Sequence, residues 1–161
     1  MLTERILHAM EAGETDARRV PLRRWTWRVE SILLPPREDL SEASLLAQIR
    51  DPAAADRQCS RAAMMLTYLR RRDLAIPVTC LRIDPAISIL NLPGETFIEY
   101  QVEAESLVPD TFLAVASYGD LGTGYITMER SFAEGGYEPT VAFVSGKSEP
   151  ILRGALRKLL A

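Results

Sequence analysis

The chain is poor in the side chains that most often bind metals, with one histidine, His8, and two cysteines, Cys59 and Cys80. It has no Cys-x-x-Cys pair, which excludes the usual zinc-finger and thioredoxin-like spacings. We expect both thiols to be free and buried, with a single disulfide as the alternative. His8 lies off the apolar stripe of the first predicted helix, a position typical of a surface histidine rather than a ligand.

The chain also has no long apolar run and no excess of basic over acidic residues. No run approaches the ~20 apolar residues that cross a bilayer, and a formal net charge of −3 predicts no general affinity for nucleic acid. The first residues carry Glu4 and His8 and no apolar h-region, so we expect no signal peptide in this chain, while the compartment stays open. With 161 residues, 47% of them hydrophobic, we expect one α/β domain over residues 1–161.

The periodicity of the apolar residues predicts a mixed sheet of about five strands with flanking helices. Strands are predicted over residues 25–29, 76–83, 86–92, 112–117 and 141–144. Helices are predicted over residues 2–13, 41–49, 53–73 and 128–134, after Glu95, and from Ser148 onward. Because the turn at Asp84-Pro85 is too short for a crossover helix, the second and third strands are predicted to form an antiparallel hairpin.

The run Leu92-Pro93-Gly94-Glu95 is the most informative local feature. Pro93 and Gly94 end an apolar strand, and the next apolar positions along the chain fit a helical stripe: Phe97, Ile98, Val102 and Ala104. Glu95 is therefore predicted in the first turn of a helix, where the helix dipole favours a carboxylate by roughly 0.3–1 kcal/mol. The carboxyl end of a strand is also where α/β folds place their sites. Glu95 is interpreted either as a site residue or as a partner of the dipole alone.

A glycine-rich segment follows the predicted strand 112–117. Its pattern, Gly119-x-x-Gly122-x-Gly124, lacks the Gly-Lys-Ser/Thr of a phosphate-binding P-loop and does not open a helix. Glycines let a backbone come close to a ligand, and Asp120 and Tyr125 add polar groups beside them. The segment is interpreted either as the wall of a site or as a plain connection between elements.

The motifs taken in order resemble the neutral/alkaline non-lysosomal ceramidase family, and within it the bacterial ceramidase-like proteins. They are Leu92-Pro93-Gly94-Glu95, Phe97-Ile98-Glu99-Tyr100, Gly119-Asp120, Gly124-Tyr125-Ile126 and Glu134-Gly135-Gly136-Tyr137-Glu138. Residues 2–22 resemble the helix and basic linker that follow the family's catalytic half, and residues 27–36 resemble a strand ending in a Leu-Pro pair. The resemblance covers nearly the whole chain, as the carboxyl-terminal portion of a larger catalytic domain.

This resemblance implies a zinc-dependent amidohydrolase that cleaves an N-acyl amide of a ceramide-like lipid. The family's zinc ligands are two histidines, a glutamate and a tyrosine, and Glu95 matches the glutamate. The position that matches the tyrosine falls near Leu121 or Gly122, neither of which can bind metal, so Tyr118 and Tyr125 are the alternatives. The histidines belong to an amino-terminal half that is missing here. A catalytic zinc needs about three protein ligands, so we expect zinc binding only with that half and no activity from this chain alone.

The alternative interpretation is a non-catalytic interaction module that docks on a separate partner or self-associates. The predicted partners are therefore the missing catalytic half or a second copy of the chain. Either arrangement predicts an exposed apolar patch larger than the usual ~300–600 Å². The strand from Trp25 to Val29, which carries two tryptophans, is the predicted location of that patch. The acyl substrate, the oligomeric state and whether Met1 is the true start stay open.

Overall fold

A mixed four-stranded sheet with helices packed on one face forms the centre of the fold, in a computed structural model that describes residues 2–15, 22–83, 85–119 and 123–161. The mixed α/β class predicted from the sequence is confirmed. The strands are β1 (Trp25–Ile32), β2 (Ile76–Ile83), β3 (Ile87–Pro93), β4 (Glu95–Thr96), β5 (Phe112–Gly119) and β6 (Tyr125–Ile126). The helices are α1 (Leu2–Thr15), α2 (Glu42–Arg50), α3 (Asp56–Arg70), α4 (Ile98–Leu107), α5 (Ser131–Glu134), α6 (Tyr137–Val141) and α7 (Ser148–Leu160).

The strand order in the main sheet is β1-β2-β3-β5. β2 pairs antiparallel with both β1 and β3, which confirms the predicted hairpin, whereas β3 and β5 run parallel. A parallel pair needs a crossover, and α4 lies within the connection that supplies it. The carboxyl ends of β3 and β5 therefore meet at one end of the sheet, and the short parallel pair of β4 and β6 lies next to them along the chain.

One face of the sheet is buried under α7 and α4. Its central side chains, Cys80 and Leu90, are at most 1% exposed, and they share a core with Leu152 and Leu156 of α7. Tyr100 of α4 is fully buried in the same core, where its hydroxyl donates a 3.0 Å hydrogen bond to the Thr127 carbonyl. This layer of helices on a sheet is how such a fold removes apolar surface from water.

On the opposite face, which we call the open sheet face, no other helix of the described residues makes extensive contact with the strands, although Thr79 is buried there. Directly paired residues in neighbouring strands point to the same side, so the register places three rows of side chains there. The rows are Trp25, Ile83, Ile87 and Phe112; then Trp27, Leu81, Ile89 and Ala114; then Val29, Thr79, Asn91 and Ala116. None of these residues is charged. At the edges Trp25, Trp27 and Phe112 are 61%, 55% and 70% exposed, so the predicted exposure of the tryptophan strand is confirmed.

Helices α2 and α3 pack on each other around a second, smaller core. The Ser41 hydroxyl accepts a 3.2 Å hydrogen bond from the Ser44 backbone N–H, which confirms the predicted cap of α2. Tyr68 of α3 joins the two cores: it packs beside Phe143, and its hydroxyl donates to the Leu34 carbonyl over 2.6 Å.

Some of the predictions differ from the structure. In residues 141–144, predicted as a strand or an extended segment, Val141 ends α6, Ala142 is extended and only Val144 forms a β-bridge, with Pro36. The expected inner stripe of α1 is exposed, with Met10 66% accessible. Both cysteines are free, as expected, but Cys59, near the start of α3, is only partly buried.

Candidate functional site

Glu95 does not lie in a helix. It forms β4 with Thr96, and α4 begins only at Ile98 after the N-cap residue Phe97. The Glu95 N–H donates a 3.0 Å hydrogen bond to the Gly124 carbonyl, so it is engaged in strand pairing and is not one of the free donors of a helix end. The prediction that Glu95 lies in the first helical turn is therefore wrong, and the helix dipole does not account for its position.

Gly94 fixes the turn that presents Glu95. Its φ of +59° is a left-handed conformation that favours glycine. A Cβ on Gly94 would lie 2.3 Å from the buried Thr123 Oγ1 and 2.7 Å from the Gly124 carbonyl oxygen. The Gly94 N–H donates to the Gly119 carbonyl over 3.0 Å, and the Gly94 carbonyl accepts from the Tyr118 N–H over 2.6 Å. These bonds lock the ends of β3 and β5 together beside the carboxylate.

Both candidate tyrosines converge on Glu95. The Tyr118 hydroxyl donates a hydrogen bond to Glu95 Oε1 over 3.1 Å. Tyr125 faces Glu95 across the parallel β4–β6 pair, close enough for the carboxylate to raise the pKa of its hydroxyl. We call these three residues the Glu95 cluster. It lies at the carboxyl ends of the parallel strands β3 and β5, the edge at which α/β sheets place their ligands.

The carboxylate keeps both phenols in the protonated form. Hydrogen bonding to Glu95 raises the pKa of Tyr125 to about 12, with smaller contributions from Tyr137 and Glu138. The same interaction raises the pKa of Tyr118. If either tyrosine lost its proton, its hydroxyl could no longer donate a hydrogen bond, and the phenolate would lie beside the negative charge of Glu95. Both tyrosines of the cluster are therefore held in the neutral, protonated form.

Tyr118 adopts a φ of +66°, and it is the one non-glycine residue with a positive φ in the part of the chain that the structure describes. This conformation costs a bulky L-residue roughly 1–2 kcal/mol. Strain of this kind is concentrated at functional sites in proteins generally. Here it directs a side chain that is 75% exposed towards the Glu95 carboxylate.

The sequence did not single out the groups that surround the cluster. The Thr96 and Ser117 hydroxyls lie 2.7 Å apart in a hydrogen bond next to Glu95 and Tyr118. The Tyr137 ring packs edge-on to Tyr125, with ring centroids 6.2 Å apart. Tyr137 belongs to one of the motifs that carry the resemblance, and that was the signal available for it. Asp120, Leu121 and Gly122 of the glycine-rich segment lie outside the described residues.

The oxygen atoms of the Glu95 cluster are of the hard type that zinc accepts from glutamate, but they are too few. Among the described residues, no group of three or more histidine, cysteine, aspartate or glutamate side chains is placed to hold a metal ion. His8 lies in α1 at the other end of the chain sequence and is exposed. The residues that the structure describes therefore do not by themselves fit a catalytic zinc site.

Comparison with known proteins gives limited further information. No family model and no curated protein match the chain. A solved structure described as a ceramidase complexed with C2 matches 53% of this chain with 14% sequence identity and a TM-score of 0.47. The match spans only 14% of that protein's length. Its protein class is the one that the sequence motifs resemble, but a likeness at this TM-score is too distant to assign a function. Within the described residues no helix is long and apolar enough to cross a bilayer.

Proposed function

We propose that this chain is the carboxyl-terminal part of a ceramidase-like amidohydrolase that cleaves an N-acyl amide of a ceramide-like lipid. One observation carries the proposal: two tyrosines from separate segments converge on one carboxylate, Glu95, with Tyr118 hydrogen-bonded to it and Tyr125 paired beside it in the β4–β6 ladder. A surface carboxylate needs no such arrangement, and Tyr118 is held in a strained backbone conformation to make it.

Each member of the cluster has a defined role in this proposal. Glu95 is the ligand that this chain contributes to zinc, and the other ligands are histidines from the missing catalytic half. Zinc, when bound, lowers the pKa of a coordinated water towards neutrality. Tyr118 or Tyr125 stays protonated far above neutral pH, and one of the two turns its single hydroxyl hydrogen from Glu95 to the oxygen that becomes negative when an amide carbonyl is attacked. The chain by itself is inactive.

The first test is the DNA sequence upstream of the codon for Met1. An open frame in phase that encodes a His-x-His pair supports the proposal, since it supplies the histidine ligands that the described residues lack. Stop codons preceded by a genuine ribosome-binding site contradict it.

The second test measures zinc content and amide hydrolysis in the longer protein. Glu95→Gln is expected to lose bound zinc and activity while the protein remains folded. Glu99→Gln is the matched control, because Glu99 is also half-buried and its carboxylate pairs with Arg130 at 2.7 Å, outside the cluster. Full zinc content in Glu95→Gln would show that the ligand assignment is wrong.

The open sheet face favours a second candidate function, that of a module which self-associates. None of the residues in its three rows is charged, so two copies packed across a two-fold axis would bring no like charges of these rows together. Large apolar patches on soluble proteins usually mark interaction sites. The proposed partner is therefore a second copy of the chain, packed open face to open face.

Sedimentation velocity over a range of concentrations tests this candidate. Wild-type protein is expected to dimerise, and Trp27→Lys to stay monomeric. Ile98→Lys provides the matched control, since Ile98 is 63% exposed on α4, away from that face. A wild-type protein that is monomeric throughout, or equal loss of dimer in both variants, would rule out association through this face.

A further inference from the structure

A groove separate from both proposed sites lies between the second half of α3 and the start of β2. It has a volume of about 520 Å³, within the ~300–1,000 Å³ range of small-molecule sites. Its apolar surface includes Met64, Leu74, Ile76 and Phe143, and two consecutive arginines, Arg71 and Arg72, line it beside them. We call it the arginine-lined groove.

The apolar part of the groove is open to a ligand. Met64 and Leu74 are 54% and 59% exposed there. Tyr68 contributes its ring to the wall, while its hydroxyl is already bound to the Leu34 carbonyl over 2.6 Å. Burial raises the pKa of Tyr68 to about 12, so this wall stays uncharged. A hydrocarbon chain in the groove would cover apolar side chains without leaving a polar group unpaired.

The charge of the groove is positive in a chain whose net charge is negative. Within the described residues, the Arg71 and Arg72 guanidinium groups have neither an ion-pair partner nor a hydrogen-bond acceptor. Neighbouring Arg70, in contrast, is paired with Glu42. The carboxyl end of α3 contributes a partial negative charge of roughly half an elementary charge, which two full positive charges outweigh. An anionic headgroup is therefore favoured at this end.

We infer that the arginine-lined groove binds the monomer of a single-chain anionic amphiphile, a free fatty acid, with its carboxylate on Arg71 and Arg72 and its chain on the apolar side chains. A guanidinium group matches a carboxylate in shape and donates two parallel hydrogen bonds to it. The concave surface and the presence of only two arginines favour a single bound molecule over a membrane surface, which would need a broader basic face. This inference does not depend on the Glu95 cluster.

Isothermal titration with dodecanoate below its critical micelle concentration tests the inference. We expect saturable binding of one molecule per chain. The double variant Arg71→Gln/Arg72→Gln is expected to bind about tenfold more weakly, since charge-assisted hydrogen bonds are lost. Leu74→Gln should also weaken binding, and because this exposed side chain is not part of the core, the variant is expected to fold normally.

Two matched controls locate the site. Arg23→Gln/Arg24→Gln removes the same charge from another exposed arginine pair and should leave binding unchanged, as should Trp27→Lys on the open sheet face. Dodecyltrimethylammonium, which has the same chain and a cationic head, should bind much more weakly. The inference is overturned if dodecanoate binding does not saturate, if the two double arginine variants weaken binding equally, or if binding is lost only in Trp27→Lys. If the protein sediments with phosphatidylcholine–phosphatidylglycerol vesicles but does not bind dodecanoate, the inference is wrong and the groove binds a membrane surface instead.

Discussion

Tyr118 donates its hydroxyl hydrogen to Glu95 over 3.1 Å, and it does so from a backbone conformation that bulky residues rarely adopt. The two residues lie 23 positions apart in the chain and are brought together by the parallel pairing of β3 with β5. The hydrogen bond and the strain have the same consequence, because both place a neutral phenol on a carboxylate at the end of the sheet.

The ionisation of the tyrosines reports directly on this cluster. Glu95→Gln should move two tyrosine ionisations to lower pH, since the carboxylate raises the pKa of both Tyr118 and Tyr125. Ultraviolet spectrophotometric titration of tyrosinate measures this shift. Glu99→Gln should leave these two ionisations in place, since Glu99 raises only the pKa of the buried Tyr100. An unchanged curve in Glu95→Gln would contradict the geometry of the cluster.

Stability should fall at high pH for the same reason. The pKa of Tyr68 and of Tyr125 is raised to about 12 in the folded chain, so folding favours the protonated phenols. Their contribution is complete below the ordinary tyrosine pKa of about 10 and is lost as the pH rises through about 12. Urea unfolding at a series of pH values should show this decline, and a free energy of unfolding that is constant across the interval would contradict it.

Gly94→Ala should be strongly destabilising. The left-handed backbone and the 2.3 Å approach of the new Cβ to Thr123 Oγ1 both oppose it, for a loss of about 3 kcal/mol in the free energy of unfolding. Gly135→Ala separates the two causes, because Gly135 has a φ of +83° but no atom within 4 Å of the added Cβ. Its ψ of −166° is also unfavourable for an L-residue, so it should cost about 1–2 kcal/mol, and equal losses in both variants would show that the contact with Thr123 is unimportant.

Two serines near helix starts should respond in opposite ways. Ser41→Ala removes the hydroxyl that accepts from the Ser44 N–H and should cost about 1 kcal/mol. The Ser148 hydroxyl is buried without a hydrogen-bond partner among the described residues, so Ser148→Ala should be neutral or stabilising by up to about 1 kcal/mol. Urea unfolding measures both changes, and a loss in Ser148→Ala would indicate a bound water at the hydroxyl.

The Glu103 side chain, 13% exposed, holds α4 to α7 by pairing with Arg153 and, over 2.9 Å, with Arg157. Glu103→Gln should lower the free energy of unfolding by about 1 kcal/mol, because Arg153 keeps only Glu149 as its counter-charge and the exposed Arg157 loses its partner. Glu105→Gln is the control on the exposed side of α4, where the carboxylate accepts only from Gln101, and it should change stability little. Similar losses in the two variants would mean that the pairing with α7 contributes nothing.

Much of the sheet could be predicted from the sequence, because its signals are local. The apolar alternation of β2 and the Asp84-Pro85 turn were enough to predict the hairpin with β3, and residues 76–83 have the predicted bounds. Glycines and a serine cap likewise placed the ends of β3 and the start of α2.

The errors arise where long-range contacts decide the local structure. Glu95 was predicted in a helix because the residues after it have a helical pattern, but its backbone pairs with distant Tyr125 through the parallel β4–β6 pair. Such pairing overrides local propensity. The predicted stripe of α4 is half right for a related reason: Phe97 and Ala104 pack in the core, whereas Ile98 and Val102 are exposed. The periodicity of a single sequence does not specify which face of a helix packs against the core when both faces carry apolar and polar residues.

The Glu95 cluster was predicted from the sequence only in part. The sequence named Glu95, Tyr118 and Tyr125 as candidates, and the structure brings the three together. Their assignment to zinc stays a prediction. The hydroxyl pair of Thr96 and Ser117 could not have been found, because it depends on the way the ends of two strands are joined in space.

The open sheet face has a consequence for how this protein will look in the laboratory. Strong fluorescence of 8-anilinonaphthalene-1-sulfonate is normally taken as the signature of a molten globule, which exposes apolar surface after side-chain packing is lost. Here the tryptophan-bearing rows of β1 expose such surface while the opposite face is tightly packed. We therefore expect the fully folded chain to bind the dye and yet to keep a strong near-ultraviolet circular dichroism signal and a cooperative unfolding transition.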